Sequence, residues 1–247
     1  MSKIFNPDNR LFTFINKVID TFWLGCLWCI LTLTAPLAAF FTENTIIFII
    51  GIVIGVILCG PASTALYYAT VKVIRRSRSY ATKEFFRSFK QNFITGGVAS
   101  LIFGVFAYLM YVDFQYANVT IDQGNSFGNV MFVVFLAGTV IMVLALVWIF
   151  PILSRFTVNI PGLFRNTFII SAKHLIRTIL LILLLGVVGV LCYIFAEFLL
   201  YMIIIIPLVP ALIALTSSLI AEPVLKKYLG ESAGDPEETG IDEWYRE

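Results

Sequence analysis

Long apolar runs, separated by short polar segments, dominate this chain of 247 residues. Six runs are each long enough for a helix to cross a bilayer, whose hydrocarbon core of about 30 Å requires roughly 20 residues. The last apolar stretch, residues 178–218, is about twice that length, so we expect it to fold back near Glu197 and Tyr201. The pattern predicts an all-α integral membrane protein with six transmembrane helices in three hairpins. The predicted spans are 21–41, 45–70, 94–112, 130–153, 178–196 and 200–221.

Two polar segments have the pattern of amphipathic helices that lie in a membrane interface. The second of them begins at Pro161, a favoured first helical position, and ends at Arg177. An apolar stripe from Leu11 to Ile19 leads straight into the first span and is also expected to be interfacial. The first segment starts at a predicted N-cap, Thr82, and its aromatic residues share one face. The aromatic residues of this segment are Phe85, Phe86, Phe89 and Phe93. Its basic residues are Lys83, Arg87 and Lys90, and Asn92 lies near its end.

Charge is distributed very unevenly along the chain. The six-span arrangement puts all 17 lysines and arginines on one side of the membrane. The positive-inside rule therefore predicts that both termini are cytoplasmic. The segment after the third span contains Asp113, Asn118, Asp122 and Gly124 but no basic residue, so we expect an outer loop there. Residues 1–229 are predicted to form one polytopic membrane domain, and the acidic tail 230–247 to be disordered in the cytosol.

Composition excludes a soluble globular protein. Hydrophobic residues make up 60% of the chain, charged residues only 13%, and the mean hydropathy is +0.93. So much apolar surface exceeds what a single core can hide, and the bilayer must be the solvent. The net charge of +2 adds little, because basic residues beside spans indicate membrane orientation and not nucleic-acid binding.

The second apolar run contains a predicted bend and a face of small residues. Gly60-Pro61 interrupts the run, since proline lacks a backbone donor and its ring crowds the preceding turn. Small residues recur around it at spacings of three or four. Such a face allows another helix to come close, either a partner's helix or, more commonly, one from the same chain. Its members are Gly51, Gly55, Cys59, Ala62, Ala65 and Ala69.

The chain has few residues that could carry chemistry. It contains no paired intramembrane acids, metal-ligand cluster, nucleophile motif or phosphate-binding glycine loop. Cys26 and Cys29 have redox-motif spacing but lie within a span, so we interpret them as packing residues, and the lone His174 as a solvated interfacial residue. We therefore expect no catalysis, metal or cofactor. The acidic residues closest to the spans all lie near predicted interfaces: Asp20, Asp113, Glu197 and Glu222.

Two blocks of the sequence resemble a known family. GPASTALYYATVKVIRR at 60–76, followed by KEFFRSFKQNF at 83–93, is similar to the signature of the YesL-like family of bacterial membrane proteins, or domain of unknown function 624. FPILSRF at 150–156 resembles a later segment of that family. The resemblance implies a bacterial cell-membrane location and an association with carbohydrate uptake, often beside ABC sugar importers. It implies no demonstrated activity.

From this resemblance we expect an accessory membrane subunit of a carbohydrate ABC importer, which packs against the permease and presents cytosolic helices to the permease or ATPase. Lipid and these subunits are the expected partners, and nucleic acid is not. The predicted interface or hinge residues are Gly51, Gly55, Gly60, Pro61, Ala62, Ala65, Tyr67 and Tyr68. The predicted cytosolic interfacial or coupling residues are Arg75, Arg76, Phe85, Phe86, Phe89, Lys90, Asn92, Phe93, Pro151 and Arg155.

Two alternatives remain open. The first is a self-sufficient transporter or channel for a neutral solute, in which uncharged polar groups within an interrupted span would contact the solute. These groups are Ser63, Thr64, Tyr67 and Tyr68. The second, less favoured because the motifs are missing, is a membrane enzyme.

Overall fold

The computed structural model describes residues 10–75, 80–194 and 199–228, with side chains described except at 10–13, 75 and 199–205. These ranges are helical, and six helices are long and apolar enough to span a membrane, which confirms the predicted fold class. Glu197, Arg76 and the acidic tail lie outside the described residues. The helices are α1 Arg10–Phe40, α2 Thr45–Ala69, α3 Ala81–Gln91, α4 Phe93–Asp122, α5 Phe127–Leu153, α6 Ile160–Lys173, α7 Leu175–Ile194 and α8 Leu199–Tyr228.

Several helices are longer than the sequence predicts. The stripe from Leu11 to Ile19 is not a separate helix, because α1 runs without a break from Arg10 to Phe40. Asp113 and Asn118 do not lie in a loop either, since α4 continues to Asp122. The connection between α4 and α5 therefore contains only residues 123–126. Gly124 has a positive φ of 74° there, a conformation that glycine adopts without steric cost.

Gly60-Pro61 does not break α2, because α4 replaces the hydrogen bond that the proline cannot make. Pro61 has no N–H for the carbonyl of Ile57, one helical turn earlier. The Ser100 hydroxyl of α4 lies 3.3 Å from that carbonyl oxygen and 3.0 Å from the Gly97 carbonyl of its own helix. The helix geometry changes later, in a π-helical segment over Thr70–Arg75. Pro61 is thus accommodated inside one continuous helix with an irregular end, and the bend at Gly60-Pro61 stays a prediction.

The small-residue face of α2 packs inside this chain. Gly51 faces Ala35 and Ala39 of α1, and Gly55 faces Pro36 of the same helix. Farther along, a Cβ added at Gly60 would touch the α4 backbone at Gly96 and would lie 2.7 Å from the Ser100 hydroxyl. Ala62 and Ala65 are completely buried. α2 is therefore the central helix, in direct contact with α1, α4, α5 and α8.

Three tryptophans in the described ranges join neighbouring helices through their indole N–H groups. Trp23 of α1 donates to the Thr82 hydroxyl of α3 at 2.8 Å, and Trp28 of α1 donates to Ser63 of α2 at 3.0 Å. Trp148 of α5, which is completely buried, donates to Thr178 of α7 at 2.8 Å. The buried indole N–H of Trp148 needs such a partner, and the three bonds connect α1 to α3, α1 to α2 and α5 to α7. Thr82 is correspondingly not the N-cap of α3, which begins after Tyr80 without a side-chain cap.

Candidate functional site

The described lysines and arginines all lie at one end of the helix bundle. This end, here called the basic end, contains the first turns of α1, α4 and α7, the last turns of α2, α5 and α8, and the two short helices α3 and α6. Acidic residues of the opposite end include Glu43 and Asp122. Among the described residues, the basic end contains two buried ion pairs, which together form the candidate site.

The first pair joins Arg155, just after α5, to Glu222 in the last turns of α8. The arginine Nε and Nη2 atoms lie 2.9 Å and 2.7 Å from the same carboxylate oxygen, Oε1. Tyr67 of α2 donates a third, longer hydrogen bond of 3.4 Å to that oxygen. Arg155 is only 5% exposed and Glu222 only 3%. Glu222 lies near the end of its span, and its carboxylate is enclosed by protein and balanced by a guanidinium.

The second pair joins Lys72, in the π-helical segment, to Glu84 of α3. The ammonium Nζ lies 3.1 Å from the carboxylate Oε2, and both side chains are almost fully buried. The same ammonium donates to the Tyr68 hydroxyl at 3.3 Å and lies 5.7 Å from the centre of that ring. A cation this close to an aromatic face gains additional electrostatic stabilisation. The pair attaches α3 to the end of α2.

Adjacent tyrosines connect these pairs. Successive helical residues point about 100° apart, so Tyr67 and Tyr68 face different sides of α2. Tyr67 contacts the Arg155–Glu222 pair, and Tyr68 contacts the Lys72–Glu84 pair. The sequence blocks 60–76, 83–93 and 150–156 therefore meet at the end of α2, where each contributes polar side chains.

The aromatic residues of α3, and Phe93 at the start of α4, do not share one environment. Phe85 is completely buried in the protein core, which corrects the prediction that all four rings lie in the membrane interface. It stacks on Phe89, with ring centres 6.4 Å apart. Phe86 and Phe93 are 39% and 42% exposed and point outward. Lys90 is exposed, whereas Asn92 is buried and donates to the Ser88 carbonyl at 3.1 Å.

Pro151, Arg75 and His174, which the sequence also singles out, lie in three different parts of the basic end. Pro151 is buried inside the last turn of α5, close to Arg155. Arg75 ends the π-helical segment, and its side chain is outside the described set. His174 lies between α6 and α7, with its Nε2 atom 3.2 Å from the Tyr228 hydroxyl. Burial, and then the positive charges of Arg177, Lys227 and Lys173, lower the pKa of this imidazole.

A half-open cavity of about 650 Å³ lies beside the first ion pair. It is lined by α1, α2, α5, α7 and α8, and nearly all the lining side chains are apolar. Tyr67 belongs to both features, because it is one of the residues that line the cavity and its hydroxyl contacts Glu222. In the described ranges, no three His, Cys, Asp or Glu side chains are grouped so that they could hold a metal ion.

Comparison with known proteins identifies part of the chain. Residues 18–114 match a family model described as "Protein of unknown function, DUF624". Over this segment the chain has the DUF624 signature. The resemblance in sequence blocks 60–76 and 83–93 is thus confirmed. No curated protein and no solved structure matches the chain. The DUF624 segment supplies Tyr67, Tyr68, Lys72 and Glu84 to the site, whereas Arg155 and Glu222 lie beyond it.

Neither ion pair is predicted from the sequence, which places Glu222 only near a predicted interface. One local signal was available for Glu222, which stands between Ile220-Ala221 and Val224-Leu225 in an otherwise apolar helical turn. An acid in such a setting needs a buried cation nearby.

Proposed function

We propose that this protein is a non-catalytic accessory membrane subunit associated with a bacterial carbohydrate ABC importer. It packs against the permease and presents its basic end, on the cytoplasmic side, to the permease or ATPase. The orientation follows from the one-sided distribution of lysine and arginine. The association with an importer follows from the family resemblance.

The observation that carries the proposal is the way α3 is held. Buried Phe85 and the Lys72–Glu84 pair attach one face of the helix to the bundle. The opposite face keeps Phe86 and Lys90 exposed. A surface that is already ordered loses little conformational entropy on binding, and aromatic side chains are favoured at the centres of protein interfaces. This outer face of α3, here called the α3 surface, is the proposed partner contact.

The small-residue face of α2 is a weaker choice for that contact. Gly51, Gly55 and Gly60 are already covered by α1 and α4, so no partner helix could reach them without displacing part of the fold. The proposed partner contact therefore moves from α2 to the α3 surface.

The alternative of a self-sufficient sugar carrier receives less support from the geometry. A sugar site needs several polar groups that point at the ligand. Here the Thr64 hydroxyl donates to the Gly60 carbonyl at 2.9 Å, and Ser63 accepts from Trp28. Tyr67 and Tyr68 contact the two ion pairs. The hydroxyl groups considered for a solute thus serve contacts within the chain.

Affinity purification of the tagged protein from cross-linked native membranes tests the proposal. We expect the permease and ATPase of a carbohydrate importer to co-purify with the wild type. Phe86→Ala combined with Lys90→Glu should reduce their recovery at least tenfold and lower sugar uptake. Phe127→Ala is the matched control, because Phe127 is 61% exposed at the opposite end of the bundle. Absence of importer subunits from the wild-type eluate, or equal recovery with the α3 variant, would contradict the proposal.

A further inference from the structure

The cavity has the size of a ligand-binding pocket and is open to the surroundings of the helix bundle. Its volume of about 650 Å³ lies within the range of about 300–1,000 Å³ that is typical of such pockets. We propose that this cavity holds one acyl chain of a membrane phospholipid.

The chemistry of the lining favours hydrocarbon over a polar ligand. Leucine, isoleucine, valine and proline provide most of the wall. The hydroxyl groups among the described lining residues are engaged within the chain. Ser217 donates to the Ala214 carbonyl at 3.1 Å, Ser63 accepts from Trp28, and Tyr67 contacts Glu222. A polar ligand would lose its hydration there without regaining hydrogen bonds, whereas an acyl chain has none to lose.

The length of the cavity is similar to the length of an acyl chain. Along α7 the lining extends from Leu181 to Cys192. At 1.5 Å per residue, this separation is about 16 Å. Half of a hydrocarbon core is about 15 Å thick, so an extended acyl chain of a phospholipid has about this length. A single chain lying parallel to α7 would therefore occupy the cavity from end to end.

The position of α7 gives such a chain a route from the membrane. α7 contributes a stripe to the wall, in which Leu181, Leu184 and Val188 have helical spacing. Its other side, with Val187 and Val190 more than half exposed, belongs to the apolar exterior of a spanning helix. The cavity is open on part of its surface, so an acyl chain of the surrounding lipid can enter it without leaving an apolar environment.

Photo-cross-linking of the purified protein tests the inference without any importer subunit. The protein is reconstituted in vesicles of phosphatidylethanolamine and phosphatidylglycerol that contain a trace of phosphatidylglycerol with a diazirine in its acyl chain. We expect cross-links at Val147 and Val209, which line the cavity on α5 and α8. Cross-links confined to outward residues such as Val190 would overturn the inference.

Adjacent valines provide a matched pair of variants. Val188→Trp would place an indole ring in the cavity and obstruct it near the middle of its length, whereas Val187→Trp puts the same ring at a position whose side chain is 58% exposed. We expect Val188→Trp to reduce cross-linking at Val147 at least tenfold and Val187→Trp to leave it unchanged. Equal labelling in the two variants would refute an acyl-chain site. If Val188→Trp does not fold, the wild-type cross-link map still decides the question.

Discussion

Replacing Glu222 by glutamine should be strongly destabilising, because it leaves the Arg155 guanidinium buried without its counter-charge. Both residues are at most 5% exposed, and the arginine contacts Oε1 through two nitrogen atoms at 2.7 and 2.9 Å. For charge centres about 4 Å apart and an effective dielectric constant of about 20, the attraction is about 4 kcal/mol. Removal of one member of a buried pair typically costs about 3–5 kcal/mol. At about 2–4 °C per kcal/mol for a chain of this size, Tm should fall by about 6–20 °C.

Thermal unfolding in one detergent, followed by the loss of monodisperse protein after heating, measures this effect. Lys226→Gln is the control, since Lys226 is exposed one turn later in the same helix. The double variant Arg155→Met/Glu222→Met should recover most of the stability, because replacing a whole buried pair by apolar residues is often neutral. An E222Q variant within about 1 °C of the wild type, or a double variant no better than the single one, would refute the argument.

Three further predictions concern helix packing, pH and orientation. Gly60→Ala should cost about 1–3 kcal/mol by thermal unfolding because its methyl group would meet the α4 backbone, whereas Gly186→Ala, with nothing within 4 Å, should not destabilise. Because the pKa of His174 is lowered in the folded protein, the unfolded chain binds the proton more readily. Lowering the pH through 6.5 should therefore destabilise the wild type relative to His174→Gln, and the opposite trend would contradict the environment described for His174. In a cysteine-free background, a membrane-impermeant thiol reagent should label Gln123→Cys but not Gln91→Cys on intact cells, and the reverse would overturn the orientation.

The fold was predictable because the hydropathy of each span is a local property. A run of about 20 apolar residues must cross the membrane as a helix, whatever the rest of the chain does. Helix ends were less predictable. α4 continues past Val112 to Asp122 because apolar and aromatic residues such as Phe114 and Val119 maintain a helical pattern among the polar ones.

The candidate site was not predictable because its contacts join distant parts of the sequence. Whether Glu222 is solvated or buried depends on Arg155, which precedes it by 67 residues. Likewise, the Ile57 carbonyl that Pro61 leaves without a helical donor is contacted by the hydroxyl of Ser100, which is 43 residues away in the sequence. Local pattern gives the residue types, but only packing determines which of them meet.

The two buried ion pairs position the helices more than they stabilise the fold. A buried pair gains little net free energy over apolar residues of similar volume, since desolvation offsets most of the attraction. What both pairs provide here is position: Lys72–Glu84 fixes α3 against α2, and Arg155–Glu222 fixes the ends of α5 and α8 beside Tyr67. On our proposal that the α3 surface binds the importer, the Lys72–Glu84 pair determines partner affinity through the placement of that surface. The Arg155–Glu222 pair instead holds the spans around the cavity. The double methionine variant should therefore recover the Tm of the wild type, whereas its lipid cross-linking at Val147 should still differ from that of the wild type.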